Sequence, residues 1–167
     1  MLPRHSFRTI AALLLAVLMA AGVGLAAPSA EEPSPFDKLS GRWTGEGRLG
    51  VRDNPTETVK CRVTYAVQDE GRQLRQAIRC ATQGGSVEIV AAVVHVGGLL
   101  SGTWRETTRD WAGDLNGAVT PHGFKVQVRG ESFSANMDII VKDNRQIVEI
   151  QFLEGPLIGL TLILTRG

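Results

Sequence analysis

A two-residue rhythm of apolar and polar side chains runs from Gly41 almost to the C-terminus, and it constrains this chain more than any other feature. Val59, Cys61, Val63, Tyr65 and Val67 alternate with Lys60, Arg62, Thr64 and Ala66. Phe124, Val126 and Val128 alternate with Lys125, Gln127 and Arg129, and Leu160, Leu162 and Leu164 with Thr161, Ile163 and Thr165. Successive side chains of an extended strand point to opposite faces, so each such run offers one face to a core and one to water. No long stretch repeats apolar residues at i, i+3, i+4 and i+7, as an amphipathic helix would.

Turn signals separate the runs: Asp69-Glu-Gly-Arg72, Gln83-Gly-Gly85, Gly97-Gly98, Pro121-His-Gly123, Gly130-Glu131, Lys142-Asp-Asn144 and Glu154-Gly-Pro156. They cut the chain into strands near 41–50, 57–68, 72–81, 86–96, 99–107, 112–120, 123–130, 134–142, 145–153 and 157–166. The short links make an antiparallel up-and-down meander. A meander of this size closes into a barrel, which removes the exposed edges that invite aggregation, or folds over as a two-sheet sandwich. The all-β barrel is the expected fold. Asn116-Gly117 is a hairpin signal inside the sixth segment, so it marks a bulge there or a split strand. Val87–Val96 is apolar on both faces, which predicts cover on its outer side by the N-terminal segment or a partner.

The two cysteines sharpen the register. With Glu70-Gly71 at the centre of the turn, Cys61 stands opposite Cys80, Val63 opposite Ile78 and Val67 opposite Leu74. A slip of one residue would set Val63 against Ala77 and Cys61 against Arg79, mixing the two faces. Directly opposed residues lie close enough for a disulfide. Hydrophobic pairing and cysteine pairing therefore select one register, with a Cys61–Cys80 staple.

The N-terminus reads as an export signal. Arg4, His5 and Arg8 precede an unbroken apolar run from Ile10 to Ala21, and Gly24-Leu25-Ala26 supplies small residues for a cleavage site. Residues 1–26 are thus a signal peptide cut near Ala26, in preference to a retained anchor. No cysteine follows the run closely enough for lipid attachment. The expected product is periplasmic or extracellular, an oxidising setting that suits the disulfide. Residues 27–38 form a Pro-rich linker, extended and mobile, with one turn at Phe36–Leu39 laid against the domain at 39–167.

Of 18 Lys and Arg, Arg4 and Arg8 leave with the signal, so the remainder nearly balances the 17 acidic residues. No basic stripe remains, which argues against a nucleic-acid partner. Nine aromatics (three Trp, one Tyr, five Phe) and charged outer faces argue against an outer-membrane barrel, whose strands carry aromatic girdles and an apolar lipid face.

Leu39-Ser-Gly-Arg-Trp43 is echoed by Leu100-Ser-Gly-Thr-Trp104, which suggests two equivalent strand starts, each with a tryptophan (Trp43, Trp104) at a barrel end. Gly41-Arg-Trp43 resembles the opening signature of the lipocalins and the wider calycin superfamily. The longer string Leu39-Ser-Gly-Arg-Trp-Thr-Gly-Glu-Gly47 looks like the start of nitrobindin-type ten-stranded barrels. That resemblance implies a calycin-like barrel in which a late arginine, here Arg166, covers the tryptophan. Nitrobindins hold haem through a histidine near the C-terminal end; this chain has none after His122, so the likeness implies the barrel without that ligand. Arg79-Cys80-Ala81, Ser101-Gly-Thr-Trp104, Phe133-Ser-Ala-Asn-Met137 and Asn144-Arg-Gln146 resemble a family of small exported bacterial proteins, which implies export and no particular activity.

No chemistry-bearing motif stands out. His95 lies in an apolar strand and His122 in a turn, neither with a second ligand at metal spacing. The loop Arg105–Asp114 has three carboxylates without the Asp-x-Asp-x-Asp-Gly order of a calcium loop. No nucleophile elbow is present. No metal or cofactor is expected, and no enzyme. The leading expectation is an exported barrel holding a small hydrophobic ligand, lined by Val63, Tyr65, Val67, Leu74, Gln76 and Ile78. The alternative is a filled barrel that acts as a structural or interaction module with an envelope protein partner.

Overall fold

The strand rhythm becomes ten strands in a computed structural model that describes residues 33–131 and 133–167. They are β1 (Gly41–Val51), β2 (Glu57–Gln68), β3 (Gln73–Thr82), β4 (Gly85–Val96), β5 (Leu99–Glu106), β6 (Trp111–Thr120), β7 (Gly123–Gly130), β8 (Phe133–Lys142), β9 (Arg145–Phe152) and β10 (Leu157–Arg166). Each pairs antiparallel with the next, and β10 returns to pair with β1. The sheet is a closed barrel, not a sandwich. The export signal read over residues 1–26, and the first part of the linker, lie outside the described residues.

The β2–β3 register is the one that the cysteines and valines select. Val63 faces Ile78, Val67 faces Leu74, and Cys61 faces Cys80. The two cysteines form a disulfide with Cα atoms 4.1 Å apart. Asp69, Glu70 and Gly71 all take positive φ in the turn between the strands. Gly71 is required twice over, because a Cβ there would also stand 2.4 Å from the Ser34 Cβ.

Asn116-Gly117 is neither a bulge nor a break. Gly117 pairs in sequence with Leu100 on one side and Val126 on the other, so β6 runs straight through. Its glycine serves close approach: a Cβ would lie 2.3 Å from the Lys125 carbonyl oxygen. Gly113 does the same against the Arg129 carbonyl, and Gly45 on β1 against that of Ile163. Bare backbone at inward positions lets a strongly coiled sheet bend, as barrel closure demands.

The linker ends earlier than its composition suggests. From Ser34 onward it folds back as a plug over one end of the barrel. Asp37 N–H donates to Ser34 O and Leu39 N–H to Phe36 O, making a tight turn. The Ser34 hydroxyl donates to Gly71 O at 2.6 Å and ties this turn to the β2–β3 turn. Phe36 is 1% exposed, stacked on Phe124 and edge-on to His95. Full burial of such a ring contributes about 2 to 3 kcal/mol. Trp43 is wholly buried beside it and donates its indole N–H to Leu39 O at 2.6 Å. The Arg166 guanidinium lies over the Trp43 ring, 4.7 Å from its centroid, and donates to the carbonyls of Lys38 and Ser40.

The tryptophan echo does not mark equivalent sites. Trp43 is the third residue of β1, at the plugged end, whereas Trp104 is the sixth of eight in β5, toward the other end. The outer face of β4 is uncovered by any described residue: Val90 and Val94 are exposed, as is Val96 at the end of the strand.

The 19-residue separation of the cysteines sets the worth of the staple. Replacing both, as Cys61→Ala with Cys80→Ala, is expected to lower stability by about 3 kcal/mol through the regained freedom of the unfolded chain, and the melting temperature by roughly 10 °C. Circular-dichroism melts of the two proteins check this; equal midpoints would refute it.

Candidate functional site: a blind apolar cavity

An eight-stranded barrel is just filled by its own side chains, and the interior widens as strands are added. Ten strands here leave a cavity of about 550 Å³. Its wall is built by the inward alternates of the strands, among them Val63, Ile78, Val126, Met137, Ile150 and Leu162, with small residues at Ala91 and Ala135. Phe36 and Leu39 of the plug floor it at one end. At the other end the wall reaches Glu57, Ser86 and Trp111. Ser86 and Trp111 are exposed, so the cavity opens there. The result is a pocket with one mouth.

Five of the six residues expected to line a cavity do so: Val63, Tyr65, Leu74, Gln76 and Ile78. Val67 does not; it packs against the core at the plugged end. The disulfide contributes Cys80 to the wall. Trp104 is on the wall too, with its indole N–H donated to Arg129 O at 3.2 Å and its ring edge-on to Phe133. Trp43 is not on the wall and belongs to the plug.

Two polar stations interrupt the apolar lining. The first lies toward the floor. Tyr65 stands opposite Gln76 in the β2–β3 ladder, and its hydroxyl donates to Gln146 Oε1 at 3.0 Å. Gln146 is fully buried, and its Nε2 has no hydrogen-bond partner. Burial pushes the Tyr65 hydroxyl pKa up against the weaker opposing pull of the Gln146 contact, so the phenol stays protonated.

The second station is Glu106 at the mouth, whose side chain is 5% exposed. Its carboxylate accepts backbone N–H groups from Glu88 at 3.3 Å, Thr108 at 3.1 Å and Arg109 at 2.7 Å. Burial alone would raise its pKa; the hydrogen bonds from Arg109, Thr108 and Glu88 outweigh that and hold it down at about 2. Glu106 thereby fixes the β5–β6 turn that carries Arg109 and Trp111. The Arg109 guanidinium sits 5.5 Å from the centroid of the exposed Trp111 ring.

Neither Glu106 nor Gln146 was singled out in the sequence. Both had a legible signal. Glu106 continues the inward series Leu100, Gly102, Trp104, and Gln146 begins the series Val148, Ile150. Reading Arg105–Asp114 as one solvated loop hid the first. In fact Asp114 lies on the exposed face of β6.

Among the described residues, no histidine lines the cavity. His95 Nε2 accepts the Gly98 N–H at the plugged end, and His122 is exposed in the β6–β7 turn. The wall therefore does not fit a histidine-ligated haem of the kind the nitrobindin likeness would bring. Among the described residues, no three His, Cys, Asp or Glu side chains gather where they could hold a metal ion.

Because its folded pKa is depressed, Glu106 adds stability that is fully present above its ordinary value of 4.5 and is lost as pH falls toward about 2. Glu106→Gln is expected to lower stability at pH 7 by about 2 kcal/mol, the scale of hydrogen bonds to a buried charge. The difference between the two proteins should shrink as pH falls from 4.5 to 2. Urea titrations at pH 7, 4 and 2.5 measure it; a difference that stays constant would contradict the assignment.

The fold has relatives of known structure. Rv2717c from M. tuberculosis superposes with a TM-score of 0.65 at 13% identity, over 79% of this chain and 94% of that one. The S-type phycobiliprotein lyase CPES from Guillardia theta does so with a TM-score of 0.53 at 11% identity, over 79% of this chain and 90% of that one. No family model matches the sequence, and no curated protein shows significant similarity to it. At such low identity what the chain shares with these proteins is the barrel fold.

Proposed function

We propose that this chain is an exported carrier or receptor for one small, largely apolar molecule. The observation that carries the reading is the cavity of about 550 Å³, within the roughly 300 to 1,000 Å³ range of ligand pockets. A barrel that served only as a scaffold would gain stability by filling that space, since interiors pack densely and voids are costly. The disulfide is consistent with an oxidising compartment, and the leader pattern of residues 1–26 supports export. The protein binds without chemistry in this reading. Its near-neutral charge balance does not favour nucleic acid, and its few aromatics and charged outer faces do not favour insertion into a membrane.

A second reading has its own observation. Val90 and Val94 on the outer face of β4, with Val96 and Leu99 at the β4–β5 turn, are exposed apolar residues in neighbouring positions. An envelope protein that covered them would make the barrel an interaction module as well.

Ala91 lines the cavity, and a bulky side chain there points into the space a ligand needs. The apolar dye N-phenyl-1-naphthylamine is expected to fluoresce on binding the wild type, and Ala91→Trp to weaken it at least tenfold. Native mass spectrometry of the purified protein should show a co-purified apolar molecule that Ala91→Trp lacks. Absence of dye binding by a folded wild type would sink the carrier reading. Dye binding unaffected by Ala91→Trp would locate it on the outer β4 surface instead.

A further inference from the structure

The chemistry of the cavity narrows the ligand class, on the footing that the barrel is a carrier. The wall is apolar except at a few points, and its inner polar station is built only of uncharged groups. Tyr65 and Gln76 face each other across the β2–β3 ladder and both line the cavity. Behind Tyr65, Gln146 Oε1 accepts the hydrogen bond of the phenol O–H and so orients it, while Gln146 itself is fully buried and off the cavity wall.

No positive charge serves this station. Arg166 is not on the cavity wall: it donates Nη1 and Nη2 to the carbonyls of Ser40 and Lys38, leaves Nε buried without a partner, and lies flat on Trp43 within the plug. Among the described residues the cavity wall carries one cationic side chain, Arg109, and it stands at the mouth facing Glu106. A carboxylate pushed to the floor would be desolvated with no countercharge, which is strongly unfavourable. A hydroxyl or carbonyl would instead meet matched partners on the wall: the amide donor and carbonyl of Gln76 and the acceptor lone pairs of the Tyr65 oxygen.

We infer that the cavity selects a molecule with an apolar body and one uncharged polar group, an alcohol or a ketone, seated at Tyr65 and Gln76. The polar end goes in first, and the apolar remainder fills the space toward Trp111.

Competition against bound N-phenyl-1-naphthylamine at pH 8 tests this with decan-1-ol, decan-2-one and decanoate. The alcohol and the ketone should displace the dye at least tenfold more effectively than the carboxylate. Gln76→Leu, at a half-buried position, should reduce that preference below threefold, each competitor being referred to the dye's affinity for the same variant. Gln146→Leu should lower the preference too, because the Tyr65 hydroxyl loses the partner that orients it. Infrared spectra give a second readout: the decan-2-one carbonyl stretch should move to lower wavenumber on binding the wild type, and less in either variant. Decanoate competing as well as decan-1-ol, or a preference untouched in both variants, would overturn the inference while leaving the carrier reading intact. Failure of the dye to bind the wild type would remove both.

Discussion

The seam between β1 and β10 governs the rest of this structure. Nine of its ladders join neighbours in sequence and form through short turns; the tenth joins the two ends of the sheet. Without it the meander would be a curled sheet with two bare edges, open to pairing with other chains. Closing it costs the loop entropy of nearly the whole domain, as the Arg166 contacts to Ser40 and Lys38 show with sequence separations of 126 and 128. The chain offsets that cost at one place. Trp43 and Arg166 are partners in the seam ladder, and the guanidinium lies over the indole, an attraction of about 1 to 2 kcal/mol when partly desolvated. The same two residues hold the Phe36 turn, so ring closure and floor closure are a single packing event.

The floor in turn explains how a hollow core can be stable. Large side chains concentrate at the plugged end, with Phe36, Trp43, Leu74, Leu100, Phe124 and Leu164 all buried there. Beyond them the wall thins, and inward glycines on β1 and β6 bring neighbouring backbones closer than any side chain would allow. Packing energy is therefore spent unevenly. One end is dense and carries the fold. The other end relies on backbone ladders, the Cys61–Cys80 staple and the Glu106-braced turn.

Much of the fold was legible because its signals are local. Period-two runs and turn residues fix the strands, and two independent pairings fix the β2–β3 register. Val63, Tyr65, Leu74, Gln76 and Ile78 followed from that register as one inward face. What escaped depended on distance in sequence. Gln146 looks like an ordinary polar strand residue until Tyr65, 81 positions away, arrives beside it. Glu106 looked like part of a solvated loop because its three amide donors come from a turn and a neighbouring strand. Asn116-Gly117 misled for the opposite reason: a strong local turn signal was serving close strand approach.

A cavity with one end sealed has a consequence that an open tube lacks. It measures length. Any molecule whose head comes to rest against the Phe36 floor meets the rim at a fixed distance, and what exceeds that distance must emerge beside the exposed Trp111 ring. Shorter molecules leave apolar wall unfilled, and longer ones leave apolar chain in water. The plug that closes the barrel thus acts as the zero of a ruler, with Trp111 at the other end of its scale.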